Sequence, residues 1–259
     1  MLSRLTRPQT LAVCALPVVA LLATAGFAPL PFSVARPGLT ADVLGKNQGA
    51  PVITIKGAPT HDTSGQLRMT TIEATGPDAD VRLGDVLDSW FSTERAVMPR
   101  DAVYPSGDGV EEIEEYNEEQ MKESQDAATT AALDHLKLDE ADVDVELRLE
   151  DVGGPSAGLL FSLGIIDKLG AGDLTGGEVI AGTGTITTGG KVGAVGGVPL
   201  KTQAARRDGA TVFLVPKAEC SDARAELPKG LRLIPVTTLK GAVDSLEALE
   251  TGKGEVPAC

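Results

Sequence analysis

The sequence predicts an α/β fold, α+β in places, preceded by an apolar N-terminal segment. Helical and strand patterns alternate along most of the 259 residues. The hydrophobic residues, 42% of the chain, are enough to fill a core, and 30 glycines punctuate the strands. This length and composition predict one sizeable domain, or one domain with a smaller lobe.

Charge and composition exclude several classes of protein. A formal net charge of -14 and a sequence pI of about 4.6 make nucleic acid an improbable partner. Aromatic residues make up only 3% of the chain, which argues against base-stacking platforms and aromatic ligand cages. The sequence contains no Cys-x-x-Cys motif and no cluster of cysteine and histidine, so we expect no metal site.

The first element is an apolar segment over residues 1–35. Residues 8–35 carry no charged side chain, and this uncharged run exceeds the roughly 20 residues that cross a bilayer. Because Arg4 and Arg7 precede this run, we expect a single-pass signal anchor in the cell membrane with the rest of the chain outside the cytoplasm. Secretion after cleavage at Ala23-Thr24-Ala25 is the alternative. Residues 36–50, rich in glycine and small polar residues, are expected to form a linker.

Residues 51–138 are predicted to form a small α+β region. Strands over 52–55 and 67–72 flank a turn-rich segment, which favours a hairpin. Apolar residues from Val81 to Phe91 have helical spacing, and we expect the tryptophan of this helix to lie in the core. The longest helical pattern runs from Val110 to Leu136, and its acidic half is interpreted as a solvated face rather than a metal site.

Residues 139–259 are predicted to form a second, glycine-rich α/β region. Alternation over 143–149 predicts a half-buried strand that leads into the Gly153-Gly154 turn. Residues 159–169 are apolar on nearly all sides, which is typical of a helix in the middle of a domain. The later predicted elements are strands over 179–195, a helix from Pro199 to near Gly209, a strand over 211–215, a helical turn after Cys220, a strand over 231–236 and a helix over 239–249.

Two cysteines lie outside the apolar segment. Cys14 falls within that segment, which leaves Cys220 and Cys259 as the exported thiols. In an oxidising compartment we expect a disulfide that pins the C-terminal residues to the loop after a strand. Two unpaired thiols are the alternative.

Ser156 and Lys201 are the candidate catalytic pair. Each follows a proline closely at the start of a predicted helix, and a lysine in a first turn lies near the positive end of the helix dipole. Burial adds to this effect and lowers the pKa of the ammonium, so a neutral Lys201 can take the proton of the Ser156 hydroxyl. Backbone N–H groups from Gly154 to Ala157 are the expected oxyanion donors.

Other serine chemistries fit the sequence less well. The run from Gly154 to Gly158 satisfies G-x-S-x-G, but that mechanism needs a histidine after the serine, and both histidines precede it. We interpret His61 as a loop residue and His135 as a helix residue. The sequence contains neither Ser-x-x-Lys nor a P-loop motif, so no ATP and no other cofactor is expected.

The runs at 153–158 and 196–201, with Thr183-Gly184-Thr185-Ile186 between them, resemble the proteolytic domain of Lon-type Ser–Lys proteases. The resemblance covers about residues 143–249. It implies that Ser156 is the nucleophile, that Lys201 is the base, and that Thr183 is a hydroxyl that orients the pair. Gly153 departs from many ATP-dependent relatives, which have an acid three residues before the serine; Asp151 is the alternative carboxylate here.

The upstream chain resembles the exported, membrane-anchored Lon-like proteases of bacteria, which lack the ATPase domain. Many of these carry a PDZ module between the acidic helix and the serine strand, whereas here Leu138 to Asp142 joins the two almost directly. The resemblance implies an ATP-independent serine endopeptidase that acts on unfolded or exported polypeptides without this recruitment module. An inactive, membrane-tethered binding or scaffold protein is the alternative, and a homo-oligomer stays open.

Overall fold

The computed structural model describes residues 6–104, 109–149, 152–170 and 172–259. The helices are α1 (Arg7–Phe27), α2 (Leu83–Trp90), α3 (Arg100–Val103), α4 (Val110–Leu136), α5 (Gly158–Leu169), α6 (Val198–Arg207), α7 (Cys220–Ala225) and α8 (Leu239–Thr251). The strands are β1 (Phe32–Asp42), β2 (Lys46–Asn47), β3 (Ala50–Pro51), β4 (Ile53–Lys56), β5 (Gln66–Ala74), β6 (Ala96–Pro99), β7 (Asp144–Leu147), β8 (Val179–Gly182), β9 (Thr185–Ile186), β10 (Val192–Gly193), β11 (Val212–Pro216) and β12 (Arg232–Val236). The chain divides into unit 1, which comprises Met1–Ala35 and Ala74–Asp108, and unit 2, which comprises Arg36–Glu73 and Gly109–Cys259.

Unit 1 contains the apolar helix α1. Its 21 residues make it long and apolar enough to cross a membrane, and its side chains are exposed along nearly the whole helix. A signal sequence near an N-terminus has the same length and composition, so the helix is compatible with either an anchor or a signal. The first four residues of β1 pair antiparallel with β6, from Phe32 opposite Pro99 to Ala35 opposite Ala96.

Unit 2 is built on a mixed sheet with the strand order β12, β11, β8, β5, β1. Strands β5, β8, β11 and β12 run parallel, with Val212 opposite both Ile180 and Arg232. Helix α5 lies at the centre of the core and contacts α4 and α8. Its side chains are buried from Leu159 to Ile166, as predicted for a helix that is apolar on nearly all sides. The α/β fold class predicted from the sequence is therefore confirmed.

The predicted hairpin between residues 52–55 and 67–72 is wrong. Strand β4 pairs instead with β7, from Ile53 opposite Leu147 to Lys56 opposite Asp144. Strand β5 lies between β1 and β8 in the larger sheet. The turn residues between these strands correctly indicate a change of direction, but they carry no information about which strand the returning chain will pair with.

The predicted linker over residues 36–50 is also wrong, because strand β1 continues through Asp42 and is followed by β2 and β3. The Asp42 carboxylate accepts hydrogen bonds from the backbone N–H groups of Leu44 and Leu67, both at 3.1 Å. The small residues here serve close packing. A Cβ at Gly38, for example, would overlap the side chain of Thr71.

Trp90, expected in the core, is instead exposed at the end of α2, as is Phe91 beside it. The apolar spacing of this segment correctly predicts a helix. It does not show whether the apolar face meets the protein core, because the same pattern suits a helix whose partner lies outside the chain.

Cys220 and Cys259 form a disulfide, with their Cα atoms 5.3 Å apart. The bond closes a loop with a sequence separation of 39 residues. We expect the Cys220→Ser/Cys259→Ser variant to lose about 4 kcal/mol of unfolding free energy, because the unfolded chain regains the entropy that the cross-link removes. Urea unfolding with and without dithiothreitol measures this loss. The oxidised wild type should respond to the reductant and the double variant should not, whereas an unchanged wild-type midpoint would contradict the expectation.

Candidate active site

Ser156 lies in a single 3₁₀ turn, Pro155–Ala157, that leads directly into α5. The sequence predicted Ser156 in the first turn of the helix, whereas it lies in the short 3₁₀ turn that precedes α5. Helix α4 holds this turn in place: the Ser124 hydroxyl donates to the Pro155 carbonyl at 3.0 Å, and the Gly154 N–H donates to the Asn117 carbonyl at 3.2 Å. Ser156 itself is half-buried, so its hydroxyl sits at the boundary between core and solvent.

Lys201 lies in the first turn of α6, as predicted. Its backbone N–H donates to the carbonyl of Gly197 at 3.1 Å, and Gly197 caps the helix in the left-handed conformation with φ 71°. The lysine is only 3% exposed. A buried ammonium needs compensating partners, and this makes the contacts of the Lys201 side chain informative.

Thr183 connects the lysine to the serine turn. It follows β8 directly, and its hydroxyl accepts a hydrogen bond from Lys201 Nζ at 3.1 Å. The same hydroxyl donates to the Ser156 carbonyl at 3.4 Å, and the N–H of Gly184 donates to that carbonyl at 3.1 Å. The structure thus brings Ser156, Thr183 and Lys201 together, although they are distant in sequence.

The direction of these hydrogen bonds leaves the lysine amine available as a base. The Thr183 hydroxyl has one proton, which it donates to the Ser156 carbonyl, so its oxygen accepts from Lys201. A neutral amine that donates to Thr183 keeps its lone pair free for another proton. This arrangement suits a lysine that removes a proton from a neighbouring hydroxyl.

Burial lowers the pKa of Lys201 from 10.5 to about 8. The charge of Glu219 acts in the opposite direction and raises the pKa of Lys201. Burial also raises the pKa of Glu219, whose carboxylate accepts a hydrogen bond from the Val195 N–H at 3.1 Å. The sequence did not indicate Glu219, since one glutamate after a strand resembles any surface acid.

The two predicted oxyanion donors differ in their surroundings. The N–H of Gly154 is already donated to Asn117, so in this arrangement it is not directed toward a substrate. Ala157 is buried and forms the N-cap of α5, at the positive end of the helix dipole, whereas the next two N–H groups, of Gly158 and Leu159, already donate to the carbonyls of Pro155 and Gly184. Ala157 is therefore the stronger of the two candidates.

The two histidines considered in the sequence do not join this site, and the alternative carboxylate cannot be placed. Asp151, the alternative carboxylate, lies outside the described residues. His61 is an exposed loop residue whose backbone N–H donates to Lys168, and His135 lies in the last turn of α4. Both histidines thus occupy the loop and helix positions expected for them.

A cavity of about 690 Å³ opens between α4 and the segment before the serine turn. It reaches Gly153, three residues before Ser156. The buried side chains of Met121 and Leu149 form its apolar floor, and exposed charged side chains of α4 form its rim. The lining residues are Glu114, Asn117, Glu118, Met121, Lys122, Gln125, Leu149, Val152 and Gly153.

The cap of α6 provides a test of how the lysine is positioned. A Cβ at Gly197 would lie 2.8 Å from Ile72 Cγ2, and φ at this residue is +71°. We expect Gly197→Ala to destabilise the protein by roughly 2–4 kcal/mol, because both the left-handed backbone and the clash oppose it. Gly196→Ala is the matched control, since no heavy atom lies within 4 Å of its added Cβ. Thermal unfolding of both variants measures the difference, and equal midpoints would contradict this account of the cap.

Comparison with known proteins defines the class to which this fold and site belong. Residues 96–246 match the C-terminal proteolytic domain of Lon protease (S16), which supports a serine protease. The match covers more than half of the chain, and the protein therefore belongs to the Lon protease family (S16). The matched segment begins well before residue 139, where the sequence predicted the start of the proteolytic region.

Several curated relatives are Lon proteases. The chain is 44% identical over 79 residues to the Lon protease of Clostridioides difficile, an alignment that covers 30% of this chain and 10% of the relative. It is 32% identical over 154 residues to the Lon protease of Roseiflexus castenholzii, an alignment that covers 56% of this chain and 19% of that protein. The Lon protease of Mesomycoplasma hyopneumoniae is 37% identical over 94 residues, which are 35% of this chain and 11% of that protein. The matches thus span between a tenth and a fifth of these relatives.

Proposed function

We propose that this protein is an ATP-independent serine endopeptidase that cleaves polypeptides with Ser156 as nucleophile and Lys201 as base. The observation that carries the proposal is the hydrogen-bond chain from buried Lys201 through Thr183 to the serine turn. Membership of the Lon protease family supports the protease class. The absence of a P-loop motif from this sequence supports activity without ATP.

In the proposed reaction, neutral Lys201 takes the hydroxyl proton of Ser156 as the serine oxygen attacks the scissile carbonyl. The backbone N–H of Ala157, at the start of α5, stabilises the developing oxyanion. The Lys201 ammonium then gives the proton to the leaving amine, and water releases the acyl group from the serine. Thr183 is a positioning residue, since it acts through Lys201 and the serine turn.

We also propose that the substrate lies along the cavity between α4 and the residues Leu149, Val152 and Gly153. This cavity reaches the residue three positions before Ser156, and its apolar floor, with Met121 and Leu149, suits side chains that are exposed in unfolded polypeptides. The N-terminal helix α1 supports a location at the cell membrane with the proteolytic region outside the cytoplasm. Protease accessibility of residues 40–259 on intact cells tests that location, and full protection would contradict it.

Activity should rise with pH as Lys201 loses its proton, with a midpoint near the pKa of about 8. The measurement is kcat/KM for a fluorogenic peptide between about pH 6 and pH 10. Glu219→Gln should move the midpoint to lower pH, because the Glu219 charge raises the pKa of Lys201. A flat profile, or a shift to higher pH in this variant, would contradict Lys201 as the base.

Hydrolysis of denatured casein without ATP tests the proposed activity itself. Wild type should release acid-soluble peptides, and added ATP should not change the rate. If no hydrolysis occurs over the whole pH range while the chain retains binding to unfolded protein, the alternative of an inactive scaffold replaces the endopeptidase.

A further inference from the structure

Helix α2 of unit 1 has an apolar face that is largely exposed in the described part of the chain. Four residues form this face: Leu83 is 39% exposed, Leu87 51%, Trp90 80% and Phe91 86%. Successive members of this set are four, three and one residues apart, which places them along one side of the helix. A contiguous apolar face of this kind usually marks an interaction surface.

A backbone hydrogen bond joins the residues just before α2 to the residues just after α1. Helix α1 ends at Phe27, and the backbone N–H of Leu30 donates to the carbonyl of Val81 at 2.8 Å. Val81 is two residues before Leu83, where α2 begins. Residues of α1 and α2 are also in direct contact. The apolar face therefore begins close to the point at which α1 ends.

The length of α1 indicates what lies at that point. A helix of 21 residues spans about 31 Å, close to the roughly 30 Å of hydrocarbon in a bilayer. When α1 spans the membrane, its C-terminal end lies at the level of the lipid headgroups. Tryptophan favours this level, because its ring is apolar at one end and can hydrogen-bond at the other.

The polar side of α2 limits the choice of lipid. Asp85 accepts a hydrogen bond from the N–H of Arg82 at 2.9 Å, and Asp88 lies 3.8 Å from the guanidinium of Arg95. The contact of Asp85 is with the backbone of Arg82, so only Arg95 is paired with an acid, and α2 itself carries two acids and no basic residue. The apolar side chains, rather than a basic patch, have to supply the attraction to the membrane.

We infer that the apolar face of α2, formed by Leu83, Leu87, Trp90 and Phe91, docks into the headgroup layer of the leaflet from which α1 emerges. The inference rests on the proposed membrane anchor and commits to a zwitterionic lipid surface as the partner. Unit 1 then attaches to the membrane at two places, through the span of α1 and through the surface helix α2.

The single tryptophan of the chain makes this inference directly measurable, since all tryptophan fluorescence comes from Trp90. The full chain is reconstituted in phosphatidylcholine vesicles. We expect emission shifted to shorter wavelength, strong quenching by phosphatidylcholine brominated near the headgroup, and weak quenching by acrylamide.

The outcomes separate the docking surface from the anchor. If the chain resists alkaline extraction from the vesicles but acrylamide quenches Trp90 and brominated lipid does not, the docking surface is overturned and the anchor stands. If the alkaline wash releases the chain, both are overturned. A blue shift that depends on protein concentration and is insensitive to brominated lipid indicates a second copy as the partner, and it also overturns the inference.

A variant that keeps Trp90 provides a second test of the docking surface. Leu83→Ser, Leu87→Ser and Phe91→Ser in one chain should restore acrylamide quenching of Trp90 several-fold and reduce quenching by brominated lipid. The matched control carries Leu39→Ser and Leu227→Ser, which remove exposed leucines from unit 2. The control should behave as wild type, and circular dichroism of both chains verifies that they are folded. Unchanged quenching in the triple variant would overturn the inference.

Discussion

Ser156→Ala should abolish hydrolysis of denatured casein, with kcat at least about 10⁴-fold below that of wild type. The physical reason is that alanine has no oxygen to attack the carbonyl, although its backbone carbonyl can still accept the hydrogen bond from Thr183 that holds the turn. Because Ser156 is only half-buried, the substitution should leave the thermal unfolding midpoint nearly unchanged.

Ser221→Ala is the matched control for this experiment. Ser221 is an exposed serine in α7, and its hydroxyl donates a hydrogen bond to the neighbouring Asp222 carboxylate at 3.4 Å. Its variant should retain full activity. Hydrolysis by Ser156→Ala at a rate close to that of wild type would contradict the assignment of the nucleophile, whatever the behaviour of the control.

Lys201→Met should abolish activity and, at neutral pH, also make the protein more stable. The pKa of Lys201 is about 8 in the folded protein and about 10.4 in the unfolded chain, so the unfolded state binds the proton more tightly. Below pH 8 the folded state therefore carries a cost of roughly 3 kcal/mol for the buried ammonium. This cost disappears as the pH rises from about 8 to about 10.4.

Methionine removes the ammonium but keeps most of the side-chain volume. The hydrogen bond from Lys201 to Thr183 is lost, which costs about 1 kcal/mol, so the net gain at pH 7 is roughly 2 kcal/mol. Urea unfolding at about pH 7 and pH 10 measures the gain, which should be present at the lower pH and absent at the higher. Lys229→Met, which removes an exposed lysine, should show no such dependence. A less stable Lys201→Met protein at pH 7 would contradict the cost of burial.

The sequence predicted the elements around the candidate site because their signals are local. A proline near the start and apolar periodicity predicted two helices, α5 after Ser156 and α6 before Gly209. Helix α4 has the predicted bounds of Val110 and Leu136. The resemblance also implied that Thr183 acts with the pair, and its hydroxyl lies between Lys201 Nζ and the backbone carbonyl of Ser156.

The features that the sequence missed depend on contacts between distant residues. The pairing of β4 with β7 joins segments about ninety residues apart, which no local pattern specifies. Trp90 was placed in the core because helical periodicity does not distinguish protein from lipid or solvent. Glu219 acquires its influence on Lys201 only because α6 packs against α7, whose N-cap is Glu219.

Labelling with a fluorophosphonate probe tests the central claim most directly, since the reagent reacts with serine hydroxyls activated by a base. The account predicts one phosphonyl group per chain, located on Ser156 by peptide mass spectrometry, with a labelling rate that rises through about pH 8. Labelling should be absent in both Ser156→Ala and Lys201→Met. Labelling on another residue, or labelling of Lys201→Met at the wild-type rate, would contradict the Ser156–Lys201 pair.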